Sequence, residues 1–277
     1  MRLLIDAGNT RIKWATVAPG ADLAAWAQSG VLEYGTAATK DGAGAHAATD
    51  ATDPTQAALA QWQQALVSEV WISNVAGHEV RQHWQTTLQQ GLGLAVALHW
   101  FASSPSAGGL TNGYRDPGQL GCDRFAAAIA ARARYPARAI LVANCGTATT
   151  LDAISPDGCF IGGMILPGLL TMTHSLKRQT AQLPEVTMQA RPDSAKRAEF
   201  IPQLANHTDA AIISGCIAAQ IGAIDHALCL LRAQFGDTLC ILSGGAAQVI
   251  GAAFSEPHQV IDHLVLQGLQ VVADSPN

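Results

Sequence analysis

The chain predicts an α/β fold, and three observations carry that reading. Short apolar runs of strand length alternate with longer stretches of helical spacing. Several strands end directly in glycine-containing turns. Hydrophobic residues make up 49% of the 277 residues and charged residues only 13%, enough to bury a large core.

The elements follow in order. Residues 2–5 and 12–18 read as two strands around a tight turn, with a third within 21–33. Residues 35–60, rich in Ala, Thr, Gly and Asp, are expected as a surface loop leading into a helix near 55–67. Residues 69–73 read as a strand, 77–90 as a helix and 94–100 as a strand. A Gly/Ser/Pro-rich segment, 103–118, marks a boundary, so two domains are expected, 1–115 and 116–277. The second opens with a helix at 121–135 and a strand at 138–143. A turn at Cys145-Gly146 leads to a strand at 147–154, and Gly162-Gly163 punctuates a further strand region. A long helix is expected over 206–235. A strand at 238–242 then runs into Ser243-Gly244-Gly245, and the tail 264–273 is helical.

Net charge is −5, with 6 basic and 8 acidic residues up to position 115 and 10 and 13 after it. Both halves are mildly acidic, so no nucleic-acid face is expected. No unbroken run of about 18 apolar residues occurs, so no membrane-spanning helix is expected. Asp6 interrupts the opening apolar run, which argues against a secretion signal and makes a cytoplasmic location the expectation. The six cysteines form no CxxC pair and sit among apolar residues, as buried free thiols do. His78 and His83 fall on a surface helix without metal-ligand spacing. All six Trp lie in the first 100 positions and read as packing residues.

The chemistry concentrates in a few turns. After Leu3-Leu4-Ile5, Asp6 ends the strand, and Ala7 and Gly8 let the backbone approach a ligand. Asn9, Thr10, Arg11 and Lys13, with Ile12 between them, add donors and positive charge. Backbone amides for phosphate and an acid for Mg²⁺, reached through water, suit a nucleoside triphosphate. A plain β-hairpin explains the same residues. Leu141 to Thr149 replays the pattern of strand, polar residue, small residue, Gly and hydroxyl. Two such turns facing each other would clamp a phosphate tail. Thr147, directly after Gly146, is placed to touch phosphate, while Thr149 and Thr150 are ordinary strand residues. Gly244-Gly245 suits a flat ring against the main chain, or simply a tight turn. Asp123 and Arg124 open a helix behind Tyr114. Asp there is commonly a first-turn acid. Beside Arg124 it also suits proton acceptance from a small acidic alcohol.

Taken together these motifs resemble the type III pantothenate kinases of the actin/sugar-kinase superfamily. The likeness runs through Asp6 to Lys13, Tyr114 with Leu120-Gly121-Cys122-Asp123-Arg124, and Cys145-Gly146-Thr147-Ala148-Thr149-Thr150. It continues through Gly162 to Gly168, Thr180-Ala181-Gln182-Leu183-Pro184 and Ser243-Gly244-Gly245. The resemblance implies two ribonuclease-H-like (actin-like ATPase) domains around a nucleotide cleft. It implies transfer of the ATP γ-phosphate to pantothenate, the first step of coenzyme A synthesis. Residues 6–13 and Thr147 would bind ATP, with Asp6 near Mg²⁺, and Asp123 would be the base. Tyr114, Gly121, Cys122, Asp123, Arg124 and Thr180 would form the pantothenate site, in a homodimer. Many relatives have Asp where this chain has Asn144, a position linked to a monovalent cation such as K⁺ or NH₄⁺. Two rival readings are a sugar or small-acid kinase of the same superfamily and a non-catalytic accessory protein that keeps the nucleotide fold.

Overall fold

The computed structural model describes residues 1–33, 53–179 and 202–275. Its contacts divide the chain into two units. One joins Met1–Ser103, Gly121–Ala126 and Val265–Asn277; the other joins Ser104–Leu120 and Ala127–Leu264.

The first unit holds strands β1 (Arg2–Ala7), β2 (Arg11–Val17), β3 (Gln28–Glu33), β4 (Glu69–Asn74) and β5 (Ala97–Phe101). Their order is β3-β2-β1-β4-β5, antiparallel from β1 to β3 and parallel from β1 to β5. Helices α1 (Pro54–Gln64) and α2 (His78–Leu92) make the crossovers that parallel strands require. Asp53 caps α1, its carboxylate accepting from the Thr55 N–H at 3.0 Å, and Pro54 takes the first turn, where no N–H is needed. Alternation along β1 sends Leu3 and Ile5 to one face and Leu4 to the other. Leu3 and Ile5 pack with Trp14, Trp62, Trp84 and Leu88. Trp14 and Trp62 meet edge to face at 5.4 Å, the packing role expected for the tryptophans. Leu4 packs with Leu266 and Leu269 of the terminal helix, Leu264–Asp274.

The next elements in chain order are β6 (Ser106–Ala107), β7 (Leu110–Asn112) and α3 (Cys122–Arg134). After them come β8 (Ala139–Cys145), β9 (Ala148–Ile154), β10 (Cys159–Pro167), α4 (Leu169–Gln179) and α5 (Thr208–Phe235). The chain ends with β11 (Thr238–Ser243), α6 (Ala247–Ala253), β12 (His258–Val260) and the terminal helix, α7. The second sheet runs β12-β11-β8-β9-β10-β7-β6. Within it β10-β9-β8-β11-β12 repeats the order, strand directions and chain sequence of the first sheet. Each unit therefore has the ribonuclease-H-like arrangement, and the chain has the two-domain actin-like fold. The strand–glycine replay noted at Leu3 and Leu141 is the first strand of each repeat.

One helix bears on the expectation about membranes, and the expectation of buried cysteines needs correction. The helix α5 is long and apolar enough to cross a membrane by length and composition, although polar Ser214 and Gln220 keep it from being one unbroken apolar run. It serves as a core helix, with Ile217, Ile224, Leu228 and Leu231 buried on Leu141, Cys240 and Leu242. The cysteines are all free, but only Cys145, Cys216 and Cys240 are buried. Cys122 and Cys159 are half-buried and Cys229 is exposed, because α5 turns one face outward. Most of the loop expected at 35–60 lies outside the described residues.

Candidate active site

In the first unit, parallel β1 and β4 end side by side, with Asp6 beside Ser73 and Ala7 beside Asn74. The first turn of α3 starts at the same place. Cys122 Sγ lies 3.4 Å from Ser73 Oγ and 3.6 Å from the Asn74 carbonyl oxygen. Helix N-termini set at the carboxyl ends of parallel strands favour anionic ligands, because their N–H groups are unpaired within the helix.

This position brings Asp6 within reach of the Asp123 charge. Burial pushes the Asp6 carboxyl up to about 6; Lys13, its partner across β2, opposes the shift, and the Asp123 charge adds to it. Burial likewise raises Asp123, against three opposing influences: the N–H groups of Arg124 and of Asp123 itself, and the Arg124 charge. Its Oδ1 accepts from the Arg124 N–H at 2.8 Å, and the Arg124 guanidinium is nearby. Asp123 is thus a first-turn acid of α3, and its charge also reaches Asp6. Arg124 is buried at 6% exposure. At Gly121 a Cβ would fall 2.7 Å from Asp123 Oδ1, so this glycine leaves the carboxylate its room.

The turn from β1 to β2 is the hairpin the bland reading expected, closed by the Ala7–Ile12 pair. Its tip leaves Asn9, Thr10 and Arg11 exposed and Gly8 and Lys13 half-buried. A hairpin tip that carries donors outward serves both readings.

The second unit builds an equivalent corner. Asn144 pairs with Ser243 across parallel β8 and β11, as Asp6 pairs with Ser73. The Gly146-Thr147 turn joins β8 to β9 and is gripped from behind. Gly168 N–H and Thr171 Oγ1 both donate to the Thr147 carbonyl, at 3.0 and 2.6 Å. A Cβ at Gly168 would lie 2.0 Å from the Gly146 oxygen. Gly244 has φ +89°, and a Cβ there would meet the Cys145 carbonyl and the Asn144 side-chain oxygen below 3 Å. Thr147 is exposed at this corner.

Of the expected site residues, Asp6 to Lys13 and Gly121 to Arg124 therefore come together in one unit. Tyr114, Asn144 and Thr147 belong to the other. Tyr114 is half-buried, its ring edge-on to Phe160 at 5.7 Å and its N–H donating to Asn112 Oδ1 at 3.1 Å. Thr180 lies outside the described residues. Ser73, Asn74 and Thr171 went unnoticed as site residues. The parallel pairing of β1 with β4 was the signal for Ser73, since it sets that residue opposite Asp6. Among the described residues no group of three His, Cys, Asp or Glu side chains forms a metal cluster. Asp6 with Asp123 fits the alternative, a divalent ion held by one or two carboxylates plus phosphate oxygens.

Comparison with known proteins agrees. A sequence model of the type III pantothenate kinases matches residues 2–229. The type III pantothenate kinase of Herminiimonas arsenicoxydans is 45% identical over 276 residues, covering 99% of this chain and 97% of that protein. That of Janthinobacterium sp. (strain Marseille) is 44% identical over 279 residues, with the same coverage. Among solved structures, a conserved Baf family protein from Campylobacter jejuni, described as a transcriptional activator, superposes with TM-score 0.53 at 16% identity. It covers 98% of this chain and 96% of its own. A protein from Sinorhizobium meliloti described as a 2-dehydro-3-deoxygalactonokinase superposes with TM-score 0.52 at 15% identity, covering 99% and 98%. At such low identity these two speak for the fold alone. The family match and the full-length identities go further: this chain belongs to the type III pantothenate kinases.

Proposed function

We propose that this chain transfers the γ-phosphate of ATP to the primary hydroxyl of pantothenate, with Asp123 as the base that accepts the hydroxyl proton. ATP-dependent phosphorylation of pantothenate, at the entry to coenzyme A synthesis, is the activity of its family, and a kinase of this kind works with a divalent metal. The observation that supports the residue assignment is that the first turn of α3, which carries Asp123, is bonded to β4 beside the end of β1, where Asp6 feels the Asp123 charge.

The roles divide by chemistry. The 6–13 hairpin offers backbone amides, Arg11 and Lys13 to the phosphates, and Thr147 is assigned to ATP by the resemblance to the family. Mg²⁺ would be held near Asp6 through water and would neutralise charge on the transferring phosphoryl group. Arg124 pairs the pantothenate carboxylate; a guanidinium withdrawn from water binds a carboxylate strongly. Gly121, Cys122, Tyr114 and Thr180 complete that site. Asn144 offers a neutral oxygen where a carboxylate would hold K⁺ or NH₄⁺, so the activity is expected to depend little on either ion. A homodimer is supported by exposed apolar side chains on β10 and α4: Ile161, Met164, Ile165, Leu170 and Leu176. The acidic balance of both halves supports an enzyme without a nucleic-acid partner.

The test is ADP release by the purified protein. Pantothenate should trigger it in the presence of ATP and Mg²⁺, and adding K⁺ or NH₄⁺ should change the rate by less than about 3-fold. Sugars and other hydroxy acids should not substitute. ADP release that follows a sugar, or none with any acceptor, contradicts the proposal.

A further inference from the structure

We infer that Ser73 and Cys122 are positioning residues: together they latch the first turn of α3 to the end of β4 and so set Asp123 against Asp6. The inference rests on the reading of Asp123 as the base and names what holds that base in place.

The latch is a short chain of hydrogen bonds with one consistent direction. Cys122 Sγ donates to the Asn74 carbonyl at 3.6 Å, which leaves Ser73 Oγ to donate to the sulfur at 3.4 Å. An ordinary thiol keeps its proton at neutral pH, so the sulfur is a donor in this chain. A thiol kept neutral is a poor nucleophile, which separates a positioning role from a chemical one.

The geometry then links the latch to the reacting groups. Ser73 is fully buried and sits beside Asp6 in the parallel register of β4 and β1. Cys122 is the covalent neighbour of Asp123. Two hydrogen bonds thus tie the backbone that carries Asp123 to β4, the parallel neighbour of the strand that carries Asp6. The rest of the turn is held by shape. Phe101 of β5 stacks on Phe125 at 6.1 Å, and α7 approaches so closely that a Cβ on Gly268 would meet the Ala126 carbonyl at 1.9 Å. These contacts fix the depth of α3; the Ser73–Cys122–Asn74 chain ties its first residue to the strand that neighbours Asp6. The charged groups around the pair are Lys13 from β2 and Arg124 from α3, and neither belongs to the latch.

The test uses the intact enzyme with active-site titration, so that rates refer to folded sites. Ser73→Ala and Cys122→Ala should each lower kcat roughly 10-fold, because a misplaced base loses rate steeply. KM for ATP should stay within about twofold, so that the loss falls on kcat rather than on nucleotide binding. The double variant should lose no more than the worse single one, as expected for one chain of bonds. Cys122→Ser, whose hydroxyl can relay the same bonds, should retain most of the rate that Cys122→Ala loses. A purely structural role would lower the melting temperature but leave kcat per site in place. That result, or additive losses in the double variant, overturns the latch. Wild-type protein without pantothenate-dependent ADP release would instead overturn the function on which the latch rests.

Discussion

Asp6 is kept in a state that the fold itself disfavours. Its folded value of about 6 lies above the ordinary 3.8, and the first cause is burial. For an acid raised on folding, ionisation opposes the folded state: the penalty is absent below about pH 4, grows as pH rises and is complete above about 6. Asp6→Asn should therefore stabilise the ligand-free protein at pH 7–8 by on the order of 1–3 kcal/mol, with the gain vanishing near pH 4. Melting curves across pH read this directly; a variant less stable than wild type at pH 7.5 would contradict it. Functional carboxylates are commonly kept at such a cost, because a metal or phosphate site requires them there. Asp6 and Asp123 were legible in the sequence because an acid at the end of an apolar strand, or beside Arg at a helix start, is chemically conspicuous. Ser73 and Cys122 were not, since their meaning depends on the register between β1 and β4 and on where α3 begins.

The glycine-gripped turns carry the argument at the scale of elements. The β8–β9 hairpin presents Thr147 because Gly168, at the start of α4, can lie against the backbone of Gly146. Gly168→Ala must push that turn away and should cost about 1–3 kcal/mol, as overpacking does. It should also raise KM for ATP more than KM for pantothenate. Gly245→Ala meets nothing within 4 Å and should leave stability within about 0.5 kcal/mol of wild type. Equal stability of the two variants would show that Gly168 is not under this constraint. The buried strands β1, β4, β8 and β11 and the helices α2, α3, α5 and α7 were readable, because each has the length and apolar spacing that pattern reading needs. β6, β7 and β12 have two or three residues each, too few to show any period. α6 is a seven-residue apolar piece that nothing in its own sequence separates from a strand.

At the scale of the whole molecule, one strand order occurs twice. Asp6 beside Ser73 in the first repeat corresponds to Asn144 beside Ser243 in the second. The duplicated framework supplies two similar corners, and the side chains at their ends give them different chemistry: a carboxylate pair in one, a neutral amide and a threonine-bearing turn in the other. The duplication was visible in Leu3–Thr10 and Leu141–Thr149 before any strand pairing was known, because the repeat lies in the first strand and its glycine turn. What gathers around each corner comes from distant segments, α3 in one case and α4 and β11 in the other, and only the sheet order brings them there. The central claim is that Asp123 accepts the proton of the attacking hydroxyl, and the most direct measurement is the turnover of Asp123→Asn with titrated MgATP binding. The account predicts a fall in kcat of on the order of 10²–10⁴ with MgATP binding retained; turnover close to wild type would contradict it.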